Sequence, residues 1–207
     1  LPNNILYTSN SVDFDEISTA VELGVNVNID SLSNLEKFGQ KFGETKAIGV
    51  RIRPDVMAGG NLKISTGHDK SKFGVPLEQL DQLLAIVETH NINIAGLHIH
   101  TGSEIKDVSV FMKVTDVFFD LVPKFPTLQF LDLGGGFKIN YKPEDKKADI
   151  NELGRLLSAS FNQFCQNYGR TLSLIFEPGK YMVSEAGYFF TQVNVVKQTP
   201  YVLFAGV

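Results

Sequence analysis

Strand-length apolar runs alternate with helix-period segments along almost the whole chain, and no other feature constrains its fold as strongly. Ile5 to Thr8 reads as a strand. Asp13 then caps a helix whose Ile17, Ala20, Val21 and Leu23 share one face, and Gly24 stops it. Asn26 to Ile29 is a second strand, with Ser31 and Ser33 as capping candidates for a helix carrying Leu32, Leu35 and Phe38. Ala47 to Ile52 is a third, followed by a polar, glycine-rich excursion from Pro54 to Gly74 that is long for a bare connection. Leu77 to Val87 is helical by spacing, Ile94 to His100 a fourth strand, and Val110 to Val122 another helix. A fifth strand runs into Gly134, Asp149 to Tyr168 is a long amphipathic helix, and Leu172 to Glu177 is the sixth strand.

Repeated βα units imply a parallel sheet, either a barrel or a doubly wound open sheet. Read as a parallel (β/α)8 TIM-type barrel, the chain is an incomplete segment of about six βα units. After Glu177 the rhythm breaks, and Tyr188 to Val196 is strand-like. The expected division is a partial β/α barrel over residues 1–183 and the start of a C-terminal β domain over 184–207. The first residue is Leu1 and the last four are Phe204-Ala205-Gly206-Val207, mid-pattern, so the chain reads as an interior piece of something longer.

The fifth strand belongs to the stretch L-Q-F-L-D-L-G-G-G-F-K-I, Leu128 to Ile139. One glycine after a strand is an ordinary turn. Three in a row, Gly134, Gly135 and Gly136, remove every side chain from a segment whose N–H groups can then converge on an anion. The plainer alternative is a flexible strand-to-helix turn. The phosphate reading gains from Glu177-Pro178-Gly179-Lys180 at the end of the next strand, because barrel phosphate sites are built from the loops after the last two strands.

Formal net charge is −4 and the pI about 5.6, which argues against a nucleic-acid or anionic-membrane surface. No apolar run reaches the length of a membrane span. The single cysteine, Cys165, excludes an internal disulfide framework and fits a reducing, cytoplasmic setting.

His98 and His100, two apart at a strand end, leave the same face. Such a pair can ligate a metal or sit as hydrogen-bonded core histidines. With His68 and His90 in a loop and at a helix end, no third nitrogen ligand is evident, and no metal is expected. His100 can instead offer a flat ring at the barrel mouth, with Thr101, Gly102 and Ser103 supplying donors beside it. Arg51 and Arg53 also share a face and need anionic partners if buried. Arg51 suits a structural pair at the lower rim, whereas Arg53, nearer the C-terminal end, is placed to meet Glu177. Glu177 closes an apolar run ahead of Pro178-Gly179. It reads as a capping or salt-bridging acid, or as the partner of a protonated ring nitrogen in a cofactor that serves as an electron sink.

The ordered set R-I-R-P, T-G-H-D-K-S-K-F-G, G-L-H-I-H-T-G-S-E, L-D-L-G-G-G-F and E-P-G-K resembles the diaminopimelate decarboxylase family, in the alanine-racemase-like barrel group of pyridoxal-phosphate enzymes. The resemblance runs over essentially the whole chain. It implies pyridoxal 5'-phosphate as cofactor, with His100 stacked on its ring, Ser103 and Gly134 to Gly136 at its phosphate, and Glu177 at its pyridine nitrogen. It places Gly179 beside the phosphate, Lys180 on phosphate or substrate carboxylate, and Lys72 near the active-site mouth. It further implies a cytoplasmic homodimer of lysine biosynthesis that converts meso-diaminopimelate to L-lysine and CO2.

Two departures stand out. Lys180 occupies the place where the family usually carries arginine, which keeps the charge but loses the bidentate fork. The family's Schiff-base lysine, in a Y-A-x-K-A-N stretch, is absent, as is the C-terminal domain whose cysteine completes the partner subunit's site. The fragment by itself is therefore expected to be inactive. Related decarboxylases of ornithine, arginine or carboxynorspermidine remain alternatives, as do a non-catalytic pyridoxal-phosphate-binding barrel and a metal-dependent barrel hydrolase.

Overall fold

A computed structural model describes residues 1–56, 67 and 71–207. His68, Lys63 and Lys70, with most of the Pro54–Gly74 excursion, lie outside the described residues. The elements follow in chain order as β1 (Leu6–Thr8), α1 (Phe14–Glu22), β2 (Asn26–Ile29), α2 (Leu32–Phe42), β3 (Ala47–Arg53), β4 (Val75–Pro76), α3 (Leu80–Thr89) and β5 (Asn93–His98). Then come α4 (Ser109–Leu121), β6 (Phe130–Asp132), α5 (Ile150–Tyr168), β7 (Ser173–Ile175), α6 (Gly179–Val183), β8 (Val195–Gln198) and β9 (Leu203–Gly206).

The predicted helix starts are built as their sequence suggests. Asp13, Ser31 and Asp149 each accept the backbone N–H of the residue three further on, at 2.9, 3.4 and 2.9 Å. Each such cap contributes about 1 kcal/mol. Gly24 follows α1 and Gly169 ends α5, both at positive φ, a conformation that glycine adopts without Cβ strain.

All six main strands pair in parallel in the order β1-β2-β3-β5-β6-β7, with the short β4 beside β3. Neighbours in the sheet are neighbours in sequence apart from β4, so each connection returns over the same face and the sheet curls into part of a (β/α) barrel. α4 packs against α5, and the core includes the fully buried Phe38, Phe111, Phe118 and Phe125. Burying a side chain of that kind contributes about 1.5–3 kcal/mol.

Register sets two levels on the sheet's inner face. At the lower level Asn28, Gly49, Gly96 and Phe130 are successive partners. A Cβ on Gly49 would lie 1.8 Å from Asn28 Oδ1, and one on Gly96 would lie 2.0 Å from the Phe130 ring, so small residues alternate with large to fill the curl. One level higher, towards the strands' C-terminal ends, Arg51, His98 and Asp132 are partners. On the outer side, an apolar groove of about 420 Å³ runs between α5 and β7, lined by Leu153, Leu157, Leu174 and Phe176 among others.

The strand expected at Tyr188 to Val196 is corrected. Residues 188–194 are irregular, and only Val195–Gln198 forms a strand, antiparallel to β9. Apolar side chains alone do not make a strand without a neighbouring backbone to bond. Tyr188, Phe189 and Phe190 are instead 87–93% exposed. Among the described residues, no helix is long and apolar enough to cross a membrane.

Candidate functional site

β5 ends at His98, so His100 sits in the following loop rather than on the strand as expected. The glycine stretch follows β6 and the E-P-G-K stretch follows β7, which brings both to the same rim. The joins are direct. Glu177 N–H donates to the Gly134 carbonyl at 2.8 Å, Gly135 N–H donates to His100 Nδ1 at 3.2 Å, and Lys180 Nζ lies 3.1 Å from Ser103 Oγ. His100, Ser103, Gly134, Gly135, Gly136, Glu177, Gly179 and Lys180 thus occupy one continuous patch.

The three glycines are required by close backbone approach. A Cβ on Gly135 would stand 2.1 Å from the Glu177 carbonyl oxygen, and one on Gly136 would stand 2.0 Å from that of Gly102. Gly134 and Gly136 also have positive φ, at 64° and 94°. The sequence expects N–H groups here that can converge on an anion, and several of them have partners within the chain. Gly134 N–H donates to Asp132 Oδ1 at 2.9 Å, Gly135 N–H to His100, and Gly179 N–H to the Glu177 carbonyl at 2.8 Å. In this conformation the glycines mainly knit the two loops together.

Glu177 is held by side chains from distant strands. His98 Nε2 lies 3.3 Å from Glu177 Oε2, and Thr8 Oγ1 donates to Oε1 at 3.3 Å. Thr8 in turn accepts from Asn28 Nδ2 at 3.0 Å, so β1, β2 and β5 all contribute. Burial opposes the charge on Glu177, yet the His98 hydrogen bond, the nearby His98 and His100, and Thr8 together hold its carboxyl below the usual range.

Asp132, fully buried, completes this group. Burial pushes its carboxyl up to about 6; His98 pulls against that shift and the Glu177 carboxylate adds to it. Among the described residues, its second oxygen and His98 Nδ1 are buried without a hydrogen-bond partner. Donor atoms of His98, Asp132 and Glu177 lie within 4.8 Å of one another, close enough to hold a cation or share a proton.

His100 is tuned the other way. Burial, reinforced by Arg51 and His98, pulls its imidazole down to about 4, so the ring is neutral near pH 7. The Gly135 N–H on Nδ1 leaves the ring proton on Nε2. Arg51 and Arg53 exchange their expected roles. Arg51 is buried over the Phe73 ring at 4.6 Å and lies near Asp30 and Glu177, whereas Arg53 pairs with Asp55 at 3.0 Å and Glu78 at 3.5 Å. β3 is deep enough in the curl that its Arg51 level, not its Arg53 end, faces the acid. Lys72 lies 5.2 Å from the centre of the Phe73 ring.

Sequence reasoning missed Asp132, Thr8, Glu104 and Tyr141. Asp132 carried a signal, as the one charge in an apolar strand two residues from Phe130 and hence on the inner face. Glu104 lies next to Ser103 with φ 59°, a conformation unusual for a residue with a Cβ. It pairs with Lys180 and with Lys138 at 2.9 Å.

The pyridoxal-dependent decarboxylase, pyridoxal binding domain family matches residues 1–184. A diaminopimelate decarboxylase from Methanothermobacter thermautotrophicus is 34% identical over all of this chain and 49% of its own length. A crystal structure of diaminopimelate decarboxylase superposes with a TM-score of 0.83 at 28% identity, over 99% of this chain and 48% of the other. Another, from M. jannaschii in complex with L-lysine, gives 0.75 at 29% identity, over 97% of this chain and 49% of the other. The chain spans about half the length of the curated relatives it matches. With matches that span nearly the whole chain, on a curled parallel sheet whose rim joins the glycine and E-P-G-K loops, the chain belongs to the pyridoxal-dependent decarboxylase family through its pyridoxal-binding domain.

Proposed function

We propose that this chain is the cofactor-binding part of a diaminopimelate decarboxylase, and that the full-length protein converts meso-diaminopimelate to L-lysine and CO2. The observation that carries the reading is the joining of His100, Ser103, Gly134 to Gly136 and Glu177-Pro178-Gly179-Lys180 at one rim. The site has a polarity that suits pyridoxal 5'-phosphate. A carboxylate held in its charged form stands on the His98 side, and the cation of Lys180 stands beside Ser103. The Asp132 oxygen that is buried without a partner among the described residues fits a site whose charge is completed by a further group.

Bound pyridoxal phosphate supplies the sink for the electrons freed as CO2 leaves. In this reading Glu177 accepts the ring N–H and keeps it protonated, while His98 and Thr8 hold the carboxylate in place. His100, neutral and fixed by Gly135, offers a flat face to the ring without repelling a proton there. Ser103, the Gly134–Gly136 loop, Gly179 and Lys180 hold the phosphate end. Lys180 also serves the substrate carboxylate, as a point charge rather than a fork. No lysine among the described residues projects into the sheet at this rim to hold the cofactor as an imine, so that group and the partner subunit's cysteine belong to other parts of the protein. Residues 184–207 begin a second, β-rich domain, and the enzyme works as a cytoplasmic homodimer.

The test is to purify the full-length protein and measure CO2 and lysine release from meso-diaminopimelate, with ornithine, arginine and carboxynorspermidine as competitors. Cofactor absorbance and metal content would be read on the same sample. Lysine release dependent on pyridoxal phosphate is expected. Preference for another of these amines would move the assignment within the group, and a metal-dependent activity without the cofactor would overturn it.

A further inference from the structure

Beside Lys180 at the phosphate end, Glu104, Lys138 and Tyr141 complete a mixed-charge cluster, and the reading above leaves these three unused. Glu104 bridges two ammonium groups. One of its oxygens takes Lys180 Nζ, and the other takes Lys138 Nζ at 2.9 Å. Tyr141 OH donates to Glu104 at 3.3 Å, and both ammonium groups lie 5.5 Å from the centre of the Tyr141 ring. Backbone bonds hold the parts in register, with Ile105 N–H on the Gly136 carbonyl at 2.9 Å and Lys138 N–H on the Ile105 carbonyl at 3.0 Å. Glu104 keeps its left-handed backbone although glycine would adopt it without strain. A carboxylate has therefore been placed where the backbone favours no side chain.

The charges explain why Lys138 is there. Glu104 orients Lys180 towards Ser103 but cancels its charge. With Lys180 and Glu104 alone, an arriving phosphate meets a neutral pair beside its own negative charge. Lys138 restores one net positive charge. The Asp145 carboxylate, which also acts on Lys138, is taken up by the Tyr141 and Lys142 N–H groups at 2.9 and 3.2 Å and so lies outside this three-charge group. We propose that Glu104 and Lys138 are positioning residues for the anion site, Glu104 fixing the Lys180 ammonium over Ser103 and Lys138 offsetting the charge of Glu104. Together the three do with separate groups what one arginine fork would do at position 180. The lowered carboxyl of Glu104, caused first by the Lys180 hydrogen bond and then by Lys138, agrees with this geometry.

The inference rests on pyridoxal phosphate binding at this rim, and the experiment separates the two. Cofactor-free full-length protein is titrated with pyridoxal phosphate and with pyridoxal, which lacks the phosphate, and thermal melting confirms folding of each variant. Lys138→Met is expected to weaken pyridoxal phosphate binding about tenfold while leaving pyridoxal binding unchanged. Lys138→Arg keeps the affinity. The double variant Glu104→Gln/Lys138→Met recovers to within about threefold of wild type, because no carboxylate is left to offset and only the Glu104 anchor on Lys180 is lost. A purely structural Lys138 would show no such recovery. Wild-type protein that binds no pyridoxal phosphate, or binding indifferent to Lys180→Met, overturns the site assignment and this inference with it. Binding weakened by Lys180→Met but not by Lys138→Met, or a double variant no better than Lys138→Met, overturns the inference alone.

Discussion

His98 Nε2 lies 3.3 Å from Glu177 Oε2 although the two residues are 79 apart in sequence. β5 and β7 are not neighbours in the sheet; β6 runs between them. The contact exists because the sheet curls, bringing inner-face side chains of alternate strands together over Asp132. That triangle sets the charge of the rim.

Replacing Glu177 with Gln keeps the volume and removes the anion. In the full-length protein, binding of pyridoxal phosphate is expected to persist while decarboxylation slows about tenfold or more, a factor of ten corresponding to about 1.4 kcal/mol of barrier. Single-turnover rates with matched cofactor absorbance check it, and wild-type turnover would remove Glu177 from the role.

The raised carboxyl of Asp132 carries a pH signature. Its folded value of about 6 lies above the ordinary 3.8, so folding favours its protonated form. That contribution is present below about pH 4 and is lost as pH rises through about 6. The amide of Asp132→Asn does not ionise and can still accept the Gly134 N–H. Urea unfolding should show the variant gaining on wild type as pH rises across that window. A variant that loses ground to wild type as pH rises would contradict the assignment.

Gly135 and Gly179 should separate packing from open space. A methyl at Gly135 meets the Glu177 carbonyl, so Gly135→Ala is expected to cost about 1–3 kcal/mol of stability as well as cofactor affinity. Among the described residues, nothing lies within 4 Å of a Cβ on Gly179, and Gly179→Ala should stay within about 0.5 kcal/mol of wild type. Denaturant midpoints for the pair decide the matter.

The 207-residue chain alone is expected to release no lysine from meso-diaminopimelate. Borohydride reduction in the presence of pyridoxal phosphate should label surface lysines in a scattered way. Stoichiometric labelling of one lysine with sustained turnover would refute this. The exposed Tyr188, Phe189 and Phe190 should make the chain associate with concentration, and serine at all three positions should reduce light scattering.

Much of this was legible in the sequence for local reasons. Caps such as Asp13 and Ser31 act within one turn, and glycine or proline marks its own boundary. The site loops could be named because strand ends in parallel units share a rim. What could not be read is how far the sheet curls. Period-two alternation puts Arg51, Arg53 and Asp132 on the inner face but does not say which faces Glu177. Likewise, the Val and Phe content at 188–196 could not reveal that its first residues lack a partner strand.

The crowding at residues 134–136 has a consequence for inheritance. Any single-base change that replaces a glycine codon with another amino acid adds a Cβ, and at these positions that carbon falls 2.7, 2.1 and 2.0 Å from existing atoms. Three adjacent codons can therefore drift only silently, while those for Gly154 and Gly187, where no described residue lies within 4 Å of an added Cβ, are free to wander.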